Sequence, residues 1–385
     1  EAADARRRII REVEALAAER NAESKRLGEL KAQGKDAEFD ALRERMKGVA
    51  ERLKVVKEEE SAIEENFQNL LSRLPNMLDD QVPDGKDETQ NVVVKKVGEI
   101  PHFDFDPKPH YEIAEAENLV DFERGVKLSG ARFYVYNDKI ARLERRLSNF
   151  MLDTHAESGY SERSVPIVVK DECMFGTGQF PKFADEYYRM EKDGLSLIPT
   201  GEVPLTNLYT DEILNDVDLP IKLMAFTPCF RREAGSAGKD TRGLIRVHQF
   251  YKVELVKFVR PEDSEKEWRS LTADAERILQ KLGLTYRVLA LCAGDMGFTS
   301  SITYDLEIWM PGLKRWLEIS SCSNFKDFQA RRAKIRYKNA SGKNEYVHTI
   351  NGSGVAAGRL IAALLEYHQN ADGSVDWAAL EAKLV

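Results

Sequence analysis

Four short clusters between residues 197 and 361 contain the residue types best suited to chemistry. In the strongest, Arg-Arg-Glu at 231–233 is followed by a glycine-rich, charged loop at 234–243, and the chain returns along residues 244–259. A strand period of two places one set of polar and aromatic side chains on a single face of the returning stretch: Arg246, His248, Phe250, Lys252 and Glu254. Two strands joined by a basic loop can surround a polyphosphate, so we predict a nucleotide site on this face.

The glycine-rich loop differs from a Walker P-loop in its spacing. Lys239 is followed by Asp240 instead of Ser or Thr, and no Gly lies five residues before Gly238. We therefore exclude a P-loop. The structural alternative for residues 244–259 is a surface strand with one polar face, although such a strand seldom combines Arg, His, an aromatic ring and a carboxylate.

The other three clusters are weaker when taken singly. Residues 318–324 end an apolar strand with a carboxylate and several hydroxyls, which are oxygen ligands suited to Mg²⁺. Asn-Gly-Ser-Gly at 351–354 leads into an apolar helix with Arg359 in its first turns, and such a helix start can approach an anion. Thr200 and Glu202 lie two residues apart on a predicted extended segment, where both can meet an ammonium group. The structural alternatives are a turn, a capped core helix and an exposed loop.

The elements around these clusters begin with a strongly helical N-terminal region. It has no Pro before Pro75, and its apolar residues repeat at alternating spacings of three and four up to Leu74, interrupted at Glu60, as in a coiled-coil seam. Gln-Gly-Lys-Asp at 33–36 separates two such runs. We predict an antiparallel helical hairpin about 50 Å long that projects from the rest of the chain. A dimerisation or packing device is the alternative interpretation.

Beyond the hairpin, the sequence predicts a mixed α+β body. Residues 75–91 have the composition of a linker, and helical patterns follow at about 111–127 and 139–158. Strand-like runs such as 164–169 and 244–259 then alternate with helical ones.

Charge and cysteine content narrow the class of protein further. A formal net charge of −8 taken alone argues against a nucleic-acid partner, but residues 20–57 hold eleven basic and seven acidic residues. No run of about 18 apolar residues and no secretory signal is present, so we expect no membrane association. The four scattered cysteines form no CxxC pair, which favours reduced thiols and a cytoplasmic protein.

Together these motifs closely resemble the seryl-tRNA synthetases. The matching stretches are Phe-Arg-x-Glu followed by Ala-Gly-x-x-Gly-x-Asp-Thr-Arg-Gly-Leu-Ile-Arg-x-His-Gln-Phe at 230–250, Glu-Ile-Ser-Ser-Cys-Ser-Asn-Phe-x-Asp-Phe-Gln-Ala-Arg-Arg at 318–332, Asn-Gly-Ser-Gly at 351–354 and Met-Phe-Gly-Thr-Gly-Gln at 174–179. The resemblance covers nearly the whole chain. It implies a class II synthetase with an α+β fold, in which an antiparallel catalytic sheet is flanked by helices and preceded by a coiled-coil hairpin.

The resemblance also implies a reaction and partners. Serine and ATP, with Mg²⁺, would give seryl-adenylate and pyrophosphate, and the seryl group would pass to the 3′ end of tRNA(Ser), or of tRNA(Sec) where present. The hairpin would grip the long variable arm of the tRNA, and the protein would be a homodimer.

Site residues follow from the same resemblance. The residues implied for ATP are Arg231, Arg232, Glu233, Phe250, Glu318, Ile319, Ser320, Ser321 and Arg359. Those implied for serine are Thr200, Gly201, Glu202, Arg231, Glu254, Asn351 and Ser353. Arg231, Arg359 and Glu318 would be catalytic, and Mg²⁺ would be held by Glu318 and Ser321. Because a regular strand places Glu318 and Ser321 on opposite faces, a bend is expected between them.

Three features depart from the family pattern. Thr200-Gly201-Glu202 replaces the usual Thr-Ala-Glu, Arg232 stands where Ser is frequent, and Lys239 stands where Arg is frequent. The chain also begins inside the first helix of the hairpin, so the family's opening helix is expected to be missing. We thus predict an N-terminally incomplete tRNA-binding arm at 1–76, a linker at 77–100 and a catalytic domain at 101–385.

Two other classes of protein remain open at this point. One is a synthetase paralogue that binds nucleotide or RNA without charging tRNA. The other is a coiled-coil interaction protein with an inert body. Serine-dependent exchange of pyrophosphate into ATP distinguishes the first from an active synthetase, and dimer formation without nucleotide binding would favour the second.

Overall fold

The computed structural model describes residues 1–234 and 242–384 of the chain. Residues 235–241, which include Lys239 and most of the predicted glycine-rich loop, lie outside the described residues. The chain divides into two compact units, Glu1–Leu74 and Pro75–Val385.

The first unit is an antiparallel pair of helices, as the sequence predicts. Helix α1 spans Ala2–Ala32 and helix α2 spans Asp36–Ser72. Gly34 lies in the turn at φ +67°, a conformation that costs glycine little. At about 1.5 Å per residue, the 37 residues of α2 extend about 55 Å.

Cross-helix contacts establish the register of the hairpin. Arg52 pairs with Glu12 at 2.7 Å and Arg45 with Glu19 at 2.6 Å. The buried seam residues are Ile9, Leu30, Leu42, Leu53 and Val56. The C-terminal end of the predicted seam is not buried: Leu70 and Leu74 are 50% and 58% exposed. Glu64 lies opposite Arg6, in the second turn of α1. The last turn of α2 therefore extends beyond the first residue of α1 and has no part of that helix to pack against.

The second unit is a mixed α+β body. Its strands are β1 Val92–Val97, β2 Val120–Asp121, β3 Val135–Tyr136, β4 Ser161–Glu162, β5 Val168–Lys170, β6 Arg189–Met190, β7 Leu195–Leu197, β8 Ile213–Asn215, β9 Ile221–Phe230, β10 Gln249–Val259, β11 Tyr286–Ala290, β12 Ile302–Met310, β13 Arg315–Lys326, β14 Arg336–Lys338, β15 Asn344–Tyr346 and β16 His348–Ala356. Its helices are α3 His110–Ala116, α4 Phe122–Ser129, α5 Asp138–Glu157, α6 Asp171–Gly176, α7 Glu202–Asn207, α8 Ser264–Leu282, α9 Phe328–Ala333, α10 Ala357–Tyr367 and α11 Trp377–Ala382. Short 3₁₀ helices occur at Glu88–Gln90, Ala184–Glu186, Asp216–Asp218 and Pro261–Asp263.

The principal sheet is antiparallel, which confirms the predicted architecture. Among the described residues its strand order is β1-β11-β12-β13-β16-β10-β9-β4, and only the short β4 runs parallel to its neighbour β9. Helices α5, α8 and α10 contribute to the large hydrophobic core beside this sheet. The chemistry-bearing stretches 249–259, 318–324 and 351–356 lie on the neighbouring strands β10, β13 and β16, and Arg359 follows in α10, so the sheet brings them together.

Several local elements differ from the prediction. The pattern at 111–127 forms two short helices, α3 and α4, with the small strand β2 between them. Strand β10 begins at Gln249 instead of residue 244. Within the expected linker 77–100, strand β1 pairs with β11 and forms an edge of the principal sheet, so that part of the range belongs to the body.

Across the described residues, no helix combines the length and the hydrophobicity needed to cross a membrane.

The hairpin offers a matched test of its seam, since Val56 is fully buried and its neighbour Val55 is 46% exposed. Val56→Ala removes two buried methyl groups at about 0.8 kcal/mol each. Alanine has a higher helix propensity than valine, which offsets this loss of folding free energy by about 0.5 kcal/mol. We expect a net loss of about 1 kcal/mol, and hence about fivefold lower protection of α2 amides in hydrogen exchange. Val55→Ala should leave protection unchanged or slightly raised. Equal effects of the two substitutions would contradict the assigned seam.

Candidate active site

Two adjoining pockets form a cleft on the principal sheet, and Arg231, Glu233 and Arg246 line both. The larger, about 530 Å³, is completed by side chains that include Thr200 and Glu202. The smaller, about 180 Å³, has a wall that includes the predicted site residues Phe250, Glu318, Ile319, Ser353 and Arg359. The cleft thus gathers residues from all four sequence clusters.

Arg231 stands at the junction of the two pockets, directly after strand β9. Its backbone N–H donates to the carbonyl of His248 at 2.9 Å, and its Nε donates to the carbonyl of Pro199 at 3.2 Å. The guanidinium carbon lies 5.2 Å from the centre of the Phe250 ring, within range of a cation–π contact. These contacts hold the positively charged guanidinium at the boundary between the two pockets, where it can contact a ligand in either one.

The alternation predicted for residues 246–254 is only partly correct. Arg246 and His248 precede β10, and from Lys252 onward both faces of the strand are buried. Arg246 still reaches the cleft, where its Nη1 lies 3.2 Å from Glu233 Oε2. The Nδ1 of His248 lies 2.9 Å from the carbonyl of Arg231, so this side chain supports the backbone of the site.

Arg232 lines neither pocket. Its guanidinium lies 6.0 Å from the ring centre of Tyr188, and its backbone N–H donates to the carbonyl of Glu186 at 3.0 Å.

Glu254 is the most enclosed of the predicted serine-site residues. It is fully buried, and its carboxylate accepts hydrogen bonds from the Thr200 hydroxyl and the Asn351 amide. Lys252 Nζ lies 2.6 Å from Glu254 Oε2. The carboxylate therefore joins three separate parts of the chain around one negative charge.

One prediction of local conformation around this group was wrong. Glu202 is the first residue of helix α7 instead of part of an extended segment, and its backbone N–H donates to the Thr200 hydroxyl at 3.2 Å. Asn351 and Ser353 lie within strand β16, which leads into helix α10 at Ala357 with Arg359 in its first turn, as predicted.

Glu202 is buried beside Glu254. The amide of Gln329 donates to its Oε1 at 2.6 Å. Burial, and secondarily the negative charge of Glu254, raises the pKa of Glu202 to about 7. A cationic ligand in the larger pocket would favour the ionised form.

Gly201 leaves little room for a side chain. A methyl group at this position would lie 2.9 Å from Cβ of Glu254 and 3.2 Å from Oγ1 of Thr227. Gly201 therefore lets the α7 segment approach Glu254 more closely than alanine would in the same backbone.

Glu318 and Ser321 are brought to one face of the sheet by an irregularity in β13. Glu307 pairs with Glu318, whereas the adjacent Leu306 pairs with Ser320, so Ile319 is an extra residue on this strand. The bulge confirms the bend that the sequence required between the two side chains. Arg359, the third residue of α10, donates from Nη1 to the Glu318 carbonyl at 2.7 Å.

Asp305 adds a carboxylate that the sequence interpretation missed. It lies opposite Ser321 in the β12–β13 ladder, and its Oδ1 is buried with no hydrogen-bond partner among the described residues. Burial, and secondarily the charge of Glu318, raises the pKa of Asp305 well above its usual range. An unpaired oxygen next to Glu318 and Ser321 fits a divalent cation.

The protein supplies few ligands to such a cation. The part of the chain that the structure describes contains no group of three or more His, Cys, Asp or Glu side chains placed to hold a metal ion. That sparse set suits Mg²⁺, which is usually held by one or two carboxylates together with substrate phosphates and water.

Gln329 and Lys252 were also left without a role by the sequence interpretation. Gln329 lies inside the matched stretch 318–332, and Lys252 lies on the predicted polar face of β10. The sequence therefore shows both residues within its candidate site stretches. It does not show which carboxylates they bind, because those contacts form only when the chain is folded.

Comparisons with known proteins identify relatives of both units of the chain. The family model for the tRNA synthetase class II core domain (G, H, P, S and T) matches residues 185–368, and that for the seryl-tRNA synthetase N-terminal domain matches residues 1–78. A serine–tRNA ligase of Leptospira biflexa is 58% identical over 371 residues, covering 96% of this chain and 88% of the relative. One of Thermodesulfovibrio yellowstonii is 52% identical over 369 residues, covering 95% and 87%.

Solved structures give the same result. Seryl-tRNA synthetase from Pyrococcus horikoshii, solved with ATP, superposes with a TM-score of 0.92 at 34% identity and covers 99% of this chain and 90% of that one. The cytoplasmic serine–tRNA ligase of Naegleria fowleri, solved with AMP, gives 0.87 at 26% identity, covering 100% and 90%.

The antiparallel sheet and its cleft define a class II aminoacyl-tRNA synthetase. With the helical hairpin and these relatives, the chain belongs to the seryl-tRNA synthetase family. Its activity is ATP- and Mg²⁺-dependent activation of serine to seryl-adenylate, followed by transfer of serine to tRNA.

The raised pKa of Glu202 predicts how serine recognition depends on pH. If Glu202 meets the serine ammonium, binding requires its ionised form, which is the minority below pH 7. The KM for serine should therefore fall as pH rises from 6 to 7, by up to about tenfold per unit, and level off above 7. Pyrophosphate exchange at saturating ATP measures it, with the KM for ATP as the internal control. A serine KM that stays flat from pH 6 to 8 would remove Glu202 from this role.

Proposed function

We propose that ATP occupies the smaller pocket and serine the larger, with Arg231 acting on both substrates. The observation that carries this assignment is the position of Arg231, which lines both pockets and is held by Pro199 and Phe250. Its guanidinium would bind the α-phosphate of ATP and the serine carboxylate that attacks it.

The chemistry needs no covalent nucleophile on the protein. The serine carboxylate attacks the α-phosphate and pyrophosphate leaves, so catalysis consists of positioning and charge neutralisation. Phe250 stacks on the adenine ring, Glu233 accepts from the adenine amino group, and Arg359 binds the γ-phosphate. Ile319 and Ser320 lie along the same strand β13 and complete the ATP contacts. The role of Arg232 stays a prediction, since it lines neither pocket.

Mg²⁺ is assigned to Glu318 and Ser321. Held by these two side chains, Mg²⁺ would supply charge neutralisation for the phosphates. The bulge at Ile319 supports this assignment because it lets both side chains face the same side. Arg359 lies beside them, with its Nη1 3.4 Å from Glu318 Oε1.

Serine is assigned to the larger pocket, where Thr200 and Glu202 bind its ammonium. The role of Ser353 in serine binding stays a prediction, since this residue lines the smaller pocket. Glu254, which contacts Thr200 and Asn351, accepts the serine hydroxyl. A buried acceptor of this kind rejects alanine, which would leave the acceptor unpaired. Gly201 contributes by allowing the close approach of the α7 segment to Glu254.

Arg231→Ala tests the central assignment. It removes a contact to the developing charge of the transition state without removing core volume, and such a loss costs about 3 to 4 kcal/mol. Serine-dependent exchange of pyrophosphate into ATP should therefore fall by about 10²- to 10³-fold while the protein stays folded. Arg269→Ala is the control, because that side chain is exposed on α8 and pairs with Glu265. Near-normal exchange in Arg231→Ala would rule out the assigned role. Absence of exchange in the unmodified protein would favour a non-charging paralogue.

The hairpin is proposed as the tRNA-binding arm, comprising residues 1–76, with the catalytic domain at 101–385 and a connection at 77–100. The match of residues 1–78 to the N-terminal domain of the family supports it, as does the basic surplus at 20–57. Its partners would be tRNA(Ser) and, where present, tRNA(Sec). We further propose a homodimer in the cytoplasm, where the four free cysteines would stay reduced.

Shortening the arm tests whether tRNA binding is separable from adenylate chemistry. The Arg52–Glu12 and Arg45–Glu19 pairs show that residues 17 and 47 are nearly opposite, so replacing 17–47 by a short turn joins the two helices at facing positions. Serine exchange should stay nearly intact, while tRNA charging falls through weaker tRNA binding. The salt dependence of binding should also weaken, by about one unit of slope per lost phosphate contact. A parallel loss of exchange and charging would make the arm structural; unchanged charging would mean that tRNA binds elsewhere.

A further inference from the structure

The start of helix α3 contacts the residues where the described chain resumes after the basic loop. We call residues 242–245 the post-loop segment. The backbone N–H of Leu244 donates to Nε2 of His110 at 3.3 Å, and the guanidinium of Arg242 lies 4.5 Å from the ring centre of Tyr111. A methyl group on Gly243 would lie 2.3 Å from the same Nε2, and this glycine has φ +81°. The imidazole of His110 therefore packs directly against the backbone of this segment.

The other side of His110 is bound to Glu366 of helix α10. Both side chains are fully buried, and Nδ1 of His110 lies 3.0 Å from Oε1 of Glu366. The same oxygen accepts the backbone N–H of His110 at 2.9 Å, and Oε2 accepts those of Gly312 at 2.8 Å and Leu313 at 3.3 Å. A buried carboxylate surrounded by four N–H groups is well compensated as an anion.

These contacts determine where the imidazole carries its proton. A carboxylate only accepts, so Nδ1 must donate to it, and a backbone N–H only donates, so Nε2 must accept from Leu244. His110 is therefore a neutral imidazole protonated on Nδ1. Protonation of both nitrogens would remove the acceptor that Leu244 uses.

The post-loop segment is also part of the wall of the smaller pocket. Leu244 and Ile245 line that pocket together with Arg359. The carbonyl of Ile245 accepts from Nε of Arg359 at 3.4 Å. Arg359 and Glu366 belong to the same helix, α10, so the segment is held on one side by His110 and on the other by Arg359.

We propose that His110 is a positioning residue of the ATP site, which acts by accepting the Leu244 N–H on Nε2 and so places the post-loop segment against Arg359. The proposal rests on the assignment of ATP to the smaller pocket. His110 does not line either pocket and acts through the backbone of residues 244 and 245. The alternative is that His110 only fills space and ties α3 to α10.

Two substitutions separate these roles. His110→Asn keeps a donor near Nδ1 for Glu366 but has no group at the position of Nε2. His110→Gln places an amide oxygen near Nε2, where it can accept the Leu244 N–H, and gives up the Nδ1 donor. Glu366 keeps its three backbone N–H donors in both variants.

Kinetics of pyrophosphate exchange provide the first measurement. His110→Asn should lower kcat/KM for ATP by about fivefold to tenfold, the effect of one lost positioning hydrogen bond, and leave the KM for serine unchanged. His110→Gln should recover most of that loss. Equal losses in the two variants, or parallel changes for ATP and serine, would show a packing role and overturn the proposal.

The protonation state provides a second measurement that does not depend on either variant's activity or folding. Nitrogen NMR of the unmodified protein labelled with ¹⁵N-histidine should show an imidazole with a proton on Nδ1 and a hydrogen-bonded, unprotonated Nε2 at neutral pH. The Leu244 amide, which donates to Nε2, should exchange its hydrogen slowly with solvent because of this hydrogen bond. A proton on Nε2, or a rapidly exchanging Leu244 amide, would overturn the proposal. If ATP binds elsewhere, Arg231→Ala leaves exchange intact while this tautomer persists, so the two failures are distinguishable.

Discussion

The buried negative charge of Glu254 is the constraint around which the cleft is built. A fully buried carboxylate is costly unless it is paired and hydrogen-bonded, and here its partners come from β10, from the start of α7 and from β16. Losing the register between β10 and β16 would move Asn351 away and leave the buried carboxylate without that hydrogen bond. The same carboxylate is the group that we propose as the acceptor of the substrate hydroxyl.

Helix α10 is the second element on which the site depends. Its first turn supplies Arg359, which binds the carbonyls of Glu318 and Ile245, and its last turn supplies Glu366, which binds His110. One helix thereby connects strand β13 at Glu318, the post-loop segment and the start of α3. Chemistry that works by positioning substrates benefits from such connections, because small displacements of the aligned groups cost rate.

The hairpin is stabilised by fewer kinds of contact than the catalytic unit. The two helices contact each other through a narrow apolar seam and through exposed ion pairs. Exposed pairs of this kind contribute little stability, so burial of residues such as Leu53 and Val56 dominates.

The sequence alone predicted the hairpin, a mixed α+β body and the residue types of the cleft, and its resemblance to the seryl-tRNA synthetases implied the antiparallel class II architecture. A spacing of three and four identifies a helical seam, and the motifs around Arg231, Glu318 and Arg359 are continuous stretches that need no folded context to be read. Tertiary structure decided the bulge at Ile319, the pairing of Lys252 with Glu254, and the partners of Gln329, Asp305 and His110. It also decided that Thr200 precedes a helix and that both faces of β10 are buried from Lys252 onward. Each of these depends on which strands lie side by side and in what register, and such long-range pairing is not encoded in local periodicity.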